Sequence, residues 1–203
     1  MGTVEEAVTA LRAGEPALLA TDTVYGLCAS PLESGPVERI NELKGRLGQP
    51  VALLAASSRA LAECIPELSG RWQTLLDALL PGPYTLVLPN PERRLPWLTP
   101  GARTTIGVRV PVLPQTTYEV LERFGAVAAT SANLHGESDP HRLEDVPERI
   151  RAAVAVTVDA GELPGVASSV LDFSIGEPVV LRAGAGDPAE AIARGIEALA
   201  REG

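Results

Sequence analysis

The feature that most limits how this chain can fold is a rhythm of apolar runs four to six residues long. Each run stops at a polar cluster, and helix-periodic segments fall between them. Runs this short read as buried strands, and strands interleaved with helices build an α/β sheet. A helix is expected over 3–13, with Thr3 and Glu6 spaced as a capping box and Gly14 as the stop. Strands are expected at 17–20, 51–56, 84–88, 104–110 and 126–130, then at 154–159, 168–173 and 178–181. Helices are expected from about Pro36 to Lys44, over 71–80, 115–124 and 146–153, and from Pro188, capped by Asp187. The close spacing of the last strands adds a hairpin, so the expectation is a mixed sheet. No repeat, low-complexity stretch or linker divides the chain, and one domain over 1–203 follows. At 45% hydrophobic but only 3% aromatic, its core must be built from Ala, Val, Leu and Ile.

Composition excludes several functions. A net charge of −9 disfavours a module that lives by neutralising nucleic-acid phosphates, though not a local site for a small anion. Cys28 and Cys64 have no CxxC or His-rich company and read as buried thiols rather than a disulfide. The first ten residues hold acids and no basic stretch, and no apolar run approaches the roughly 18 residues of a membrane span. A soluble cytoplasmic domain is expected. There is no P-loop, since Lys44 is flanked by Leu43 and Gly45, and neither GxGxxG nor GxSxG occurs. His135 and His141 lack the carboxylate and cysteine neighbours of a metal site, and no protein-held metal is expected.

Three polar clusters remain at strand or helix ends: Thr21 to Gly26, Lys44-Gly45-Arg46, and Ser131-Ala132-Asn133. Strand ends are where sites form in open α/β sheets. Lys44 is the only lysine among 17 Lys and Arg residues. Thr105 and Arg109, four apart on a strand, face the same side, and Arg109 stands just before Val110-Pro111, where its fork could clamp a carboxylate. Ser168 opens one strand and Arg182 closes another. Taken singly, each has a plain reading: a solvated loop, a charge at a helix C-terminus, an Asx turn, an exposed strand arginine.

Their order along the chain is more telling. Thr-Asp-Thr-Val-Tyr-Gly-Leu at 21–27, Lys-Gly-Arg at 44–46 and Pro-Gly-Pro-Tyr-Thr-Leu-Val-Leu at 81–88 come first. Val-Arg-Val-Pro at 108–111, Thr-Ser-Ala-Asn at 130–133, Ser-Ser-Val-Leu-Asp at 168–172 and Leu-Arg-Ala-Gly at 181–184 follow. Over about residues 3–185 the chain resembles the YrdC-like family, the threonylcarbamoyl-AMP synthases. The resemblance implies a twisted, open mixed sheet flanked by helices, with a large concave, electropositive cleft. It implies L-threonine held by Thr23, Arg109, Ser131 and Ser168, and ATP faced by Lys44, Arg46, Thr105, Asn133, His141 and Arg182. Lys44 and Arg46 would carry the electrostatic catalysis. L-threonine, bicarbonate and ATP would become threonylcarbamoyl-AMP and pyrophosphate, with Mg2+ accompanying the ATP. A separate transferase, met transiently, would then modify adenosine 37 of tRNAs reading ANN codons, with little direct tRNA contact by this chain. The alternatives are a carbamoyl-adenylate former of the hydrogenase-maturation type and an RNA-binding module of the same fold. The chain also departs from the family pattern. Ala20, Leu47 and Ala183 stand where prolines are usual, the segment to Pro50 is one residue short with Gln49 in it, and His141 replaces a threonine. Ending at residue 203, it is expected to lack the additional C-terminal domain of longer relatives.

Overall fold

Thr3 caps α1 (Val4–Arg12) as its spacing predicts. Its hydroxyl accepts the Glu6 amide at 3.2 Å, and the Glu6 carboxylate accepts the Thr3 amide at 2.7 Å. The structure is a computed structural model that describes residues 2–101 and 103–201. Met1, Ala102, Glu202 and Gly203, which the one-domain expectation includes, lie outside the described residues. After α1 come β1 (Ala17–Ala20), β2 (Tyr25–Ala29), α2 (Ser34–Lys44), β3 (Ala52–Ala55), α3 (Ser58–Cys64), α4 (Arg71–Leu79), β4 (Tyr84–Pro89) and β5 (Thr105–Arg109). Then follow α5 (Gln115–Phe124), β6 (Ala126–Ser131), α6 (Glu148–Arg151), β7 (Val156–Val158), β8 (Ser169–Asp172), β9 (Val179–Arg182) and α7 (Pro188–Ala200). Among the described residues no helix is long and apolar enough to cross a membrane.

Two elements go beyond the sequence reading, and one falls short of it. β2 escapes notice because no turn dipeptide marks the reversal. Thr21 makes the turn instead, its hydroxyl donating to the Val24 carbonyl at 2.6 Å. α3 buries only Leu61, too little to leave an apolar stripe, although Ser57 caps it by accepting the Ala60 amide. The helix expected over 146–153 shrinks to α6. Val146 precedes Pro147 and is held extended at φ −68° and ψ 126°, because proline disfavours the helical region for a residue with a Cβ before it.

The nine strands form one sheet in the order β7-β1-β2-β6-β3-β5-β4-β8-β9. β1/β7, β3/β5 and β4/β8 are parallel, and the other pairs are antiparallel. Because side chains alternate along a strand, the two faces can be read separately. One face, with Leu18, Leu27, Leu53, Leu86, Val108 and Leu171, is buried with residues of α2, α3, α4, α6 and α7. The other face buries Ala17, Leu19, Cys28, Leu54 and Val127 against Ala7, Val8 and Leu11 of α1 and Val120 and Leu121 of α5. Those two helices cover only part of that face. The stretch over β3, β5, β4 and β8 is left open.

The helix-covered face is tight where α7 crosses α4. A methyl group at Gly195 would come within 2.7 Å of the Phe173 ring and 2.9 Å of Leu75, whereas one at Gly35 in α2 would meet nothing within 4 Å. Gly195→Ala is therefore expected to cost about 1–3 kcal/mol despite its better helix propensity. Gly35→Ala meets no packed neighbour, but its Cβ would face the Pro36 ring in a helical conformation that proline disfavours, so it is expected to change stability by less than about 0.5 kcal/mol. Urea denaturation of the two variants checks the difference.

Candidate functional site

The open part of the sheet is a cleft of about 400 Å³. Its floor consists of alternate strand positions with small side chains, among them Ala52, Thr85, Gly107 and Ala129. Four arginines line it, Arg46, Arg103, Arg109 and Arg182, against two aspartates, Asp139 and Asp172. Asp22, paired with Arg109, makes a third, and four minus three leaves a local charge of +1 in a chain that nets −9. A concave, water-poor wall concentrates such a field, so the cleft is built for an anion.

Arg109 closes β5 with its side chain 12% exposed. Its Nη2 donates to Asp22 Oδ1 at 2.9 Å. Thr23 donates its hydroxyl to the same oxygen at 3.2 Å, so the short turn after β1 presents a carboxylate held from two sides. Burial pushes the Arg109 guanidinium below its usual range, and Asp22 works against that. A guanidinium has five N–H donors, Asp22 accepts one, and Nε is buried without a partner among the described residues. The remaining donors suit a second carboxylate entering from the cleft.

Arg182, at the end of β9, folds back on β8. Its Nε and Nη2 donate to the Ser168 carbonyl at 3.0 and 2.8 Å, and Nη2 also reaches the Ser168 hydroxyl at 3.2 Å. That hydroxyl lies 2.9 Å from the Thr85 hydroxyl. Arg46 is held by Asn41, whose Oδ1 accepts from Nε at 3.2 Å, and by the Pro50 carbonyl at 3.4 Å. Burial lowers its pKa, and Asp139 opposes the shift.

Of the residues singled out in the sequence, Thr23, Arg46, Thr105, Arg109, Ser131, Ser168 and Arg182 line this one cleft. Lys44, Asn133 and His141 are not among the residues that line it. Lys44 is 2% exposed, and its Nζ donates to the Ser131 carbonyl, to the Asn133 carbonyl at 2.7 Å and to Asn133 Oδ1 at 2.6 Å. The reason is periodic. Lys44 continues the buried stripe of Val37, Ile40 and Asn41 on α2, so its stem points into the protein. Gly45, at φ 67°, then ends the helix, and Arg46 beyond it reaches the cleft. Burial pushes the Lys44 ammonium down to about 7, Arg46 adds to that, and Asp139 opposes it. Asn133 turns inward too, its Nδ2 donating to the Glu137 carbonyl at 2.6 Å. His141 stands apart, its Nδ1 3.2 Å from the Asp145 carboxylate, with Gly165 packed on it.

The sequence reading passed over Thr85, Arg103, Asp139 and Asp172, which also line the cleft. Arg103 was within reach of it, because period two carries 103, 105, 107 and 109 to one side. Asp139 sits in a polar loop and offers no such signal.

Comparison with known proteins adds an independent line. The Sua5_yciO_yrdC family model, described as telomere recombination, matches residues 9–184. The chain is 36% identical over 190 residues to the threonylcarbamoyl-AMP synthase of Pyrococcus abyssi, covering 92% of this chain and 55% of that protein. The structure of P. abyssi Sua5 complexed with L-threonine matches with a TM-score of 0.82 at 33% identity, covering 95% of this chain and 57% of that one. Escherichia coli YciO matches with a TM-score of 0.78 at 28% identity, covering 91% and 90%. The chain spans about half the length of the curated relatives it matches first.

The Arg109–Asp22 pair also bears on stability. Removing one partner of a buried pair strands the other charge, so Asp22→Ala is expected to lose about 3 kcal/mol. Adding Arg109→Met should return most of that loss, because no stranded cation remains. Denaturant melts of the single and double variants measure both effects.

Proposed function

The chain belongs to the Sua5–YciO–YrdC family, and from that membership we propose that its cleft joins L-threonine, bicarbonate and ATP into threonylcarbamoyl-AMP, releasing pyrophosphate. The observation that carries the reading is Arg109: a buried fork with donors to spare, facing a cleft of net positive lining within reach of hydroxyls. A carboxylate needs the fork and phosphates need the other arginines.

In this reading Arg109 holds the threonine carboxylate, and Thr23, Ser131 and Ser168 surround the rest of the amino acid. Threonine's amine adds to CO2 with loss of a proton, or to bicarbonate with loss of water, to give N-carboxythreonine. The carbamate oxygen attacks the α-phosphorus of ATP, the bond to the bridging oxygen breaks, and pyrophosphate leaves with the electron pair. Arg46, Thr105 and Arg182 face the nucleotide, and Arg103 adds charge at the same cleft. The protein's part is positioning and charge stabilisation, which act where negative charge grows on the phosphates. Mg2+ would accompany the triphosphate. Among the described residues no three His, Cys, Asp or Glu side chains gather around one point. An ion carried in by phosphate oxygens and water fits that donor set, with Asp139 as the carboxylate on the cleft wall beside Arg46. The adenylate would serve a transferase acting on adenosine 37 of tRNAs reading ANN codons, and such a supply role belongs to the cytoplasm.

Incubation with ATP, bicarbonate and L-threonine, followed by mass measurement, should reveal threonylcarbamoyl-AMP. Threonine should outcompete 2-aminobutyrate by more than about 100-fold, because a site that bonds a hydroxyl rejects the analogue lacking it. Equal pyrophosphate release with both amino acids would sink the assignment. Arg109→Lys keeps the charge but loses the fork, so threonine affinity should fall roughly 10- to 100-fold while ATP affinity changes little. Arg46→Ala should lower single-turnover product formation by about 100-fold.

A further inference from the structure

The chain's one lysine is a buried cation that forms no ion pair among the described residues. Its Nζ donates instead to three oxygens of one short segment, the carbonyls of Ser131 and Asn133 and the Asn133 side chain. Three acceptors use all three hydrogens of an ammonium, at a depth where an unpaired charge is costly. That segment starts at the cleft, because Ser131 ends β6 and lines it.

We propose that Lys44 is a positioning residue that acts through Asn133 to set the Ser131 hydroxyl as a hydrogen-bond acceptor for the amino end of the substrate. The inference rests on the threonine-adenylating reading above and specifies how one contact of that site is oriented. Below about pH 7 Lys44 is an ammonium, which can only donate, so the oxygen of the Asn133 amide faces Lys44 and its NH2 faces away. The NH2 finds the Glu137 carbonyl at 2.6 Å, which fixes the amide from both ends. The Ser131 hydroxyl lies 2.6 Å from that same Oδ1 and can only donate to it. A hydroxyl has one hydrogen. With that hydrogen held by Asn133, Ser131 turns lone pairs toward the cleft and accepts from an N–H. The amino acid is then read at both ends, its carboxylate by the donors of Arg109 and its amine by the acceptor of Ser131. Without the cation, the Glu137 carbonyl alone orients the Asn133 amide, and its hold on the Ser131 hydrogen loosens.

Calorimetric titration separates this role from direct phosphate contact. The probes are L-threonine and, separately, the α,β-methylene analogue of ATP, added to wild type, Lys44→Met, Ser131→Ala and the double variant. Lys44→Met should weaken threonine roughly 10- to 100-fold and leave the ATP analogue within about 3-fold. Ser131→Ala should show a similar loss, and the double variant no further loss, because the two residues act along one chain of contacts. A fall in ATP-analogue affinity with threonine intact, or losses that multiply in the double variant, overturns the inference alone. Wild-type protein that binds no threonine overturns the underlying reading, and the inference with it. Should Lys44→Met not fold, 3-hydroxybutyrate, which is threonine without its amine, provides the second measurement. The preference for threonine over this acid should be large in wild type and collapse in Ser131→Ala. An unchanged preference would show that Ser131 does not accept from the amine.

Discussion

Everything in this structure depends on the unequal covering of one sheet. A buried sheet needs both faces packed, and helices cover one face except at the edge strand β9, whose residues are exposed. On the other face α1 and α5 cover only part. Had the open stretch carried the leucines and valines of the opposite face, it would be an apolar patch calling for a partner. It carries Ala52, Thr85, Thr105 and Gly107 beside Val87 and Val170, a floor of mostly small side chains onto which charged ones can fold.

Three of the four cleft arginines are restrained before any ligand arrives. Asp22 holds Arg109, the Ser168 carbonyl holds Arg182, and Asn41 with the Pro50 carbonyl holds Arg46. Restraint of this kind lowers the entropy lost on binding and keeps donors aimed where charge will develop. It also explains how a strongly acidic chain keeps an electropositive site. The acids are spread over the surface, where water screens them. The arginines converge at a concave wall, where screening is weak.

Lys44 shows the same economy of placement one layer deeper. It forms no ion pair among the described residues and donates to a segment that borders the cleft, so it braces the end of β6. The family pattern joins Lys44 and Arg46 in one motif. Gly45 separates them physically, because its left-handed turn sends the helix end and the following residue to different sides of the same wall.

Much of this was legible in the sequence where the governing physics is local. Helix caps at Thr3 and Asp187, the strand alternation placing Thr105 and Arg109 together, and the clusters at strand ends all follow from contacts within a few residues. Even the burial of Lys44 was written in the spacing Val37, Ile40, Asn41, Lys44, though its charge drew the reading toward the ligand. Only the tertiary structure decided which distant residues meet. Arg109 finds Asp22 across 87 positions and Lys44 finds Asn133 across 89. Nothing in the local pattern of either segment names such a partner, because side-chain period sets only the face a residue shows. The strand order brings two faces together, and it is selected by the packing of the whole sheet.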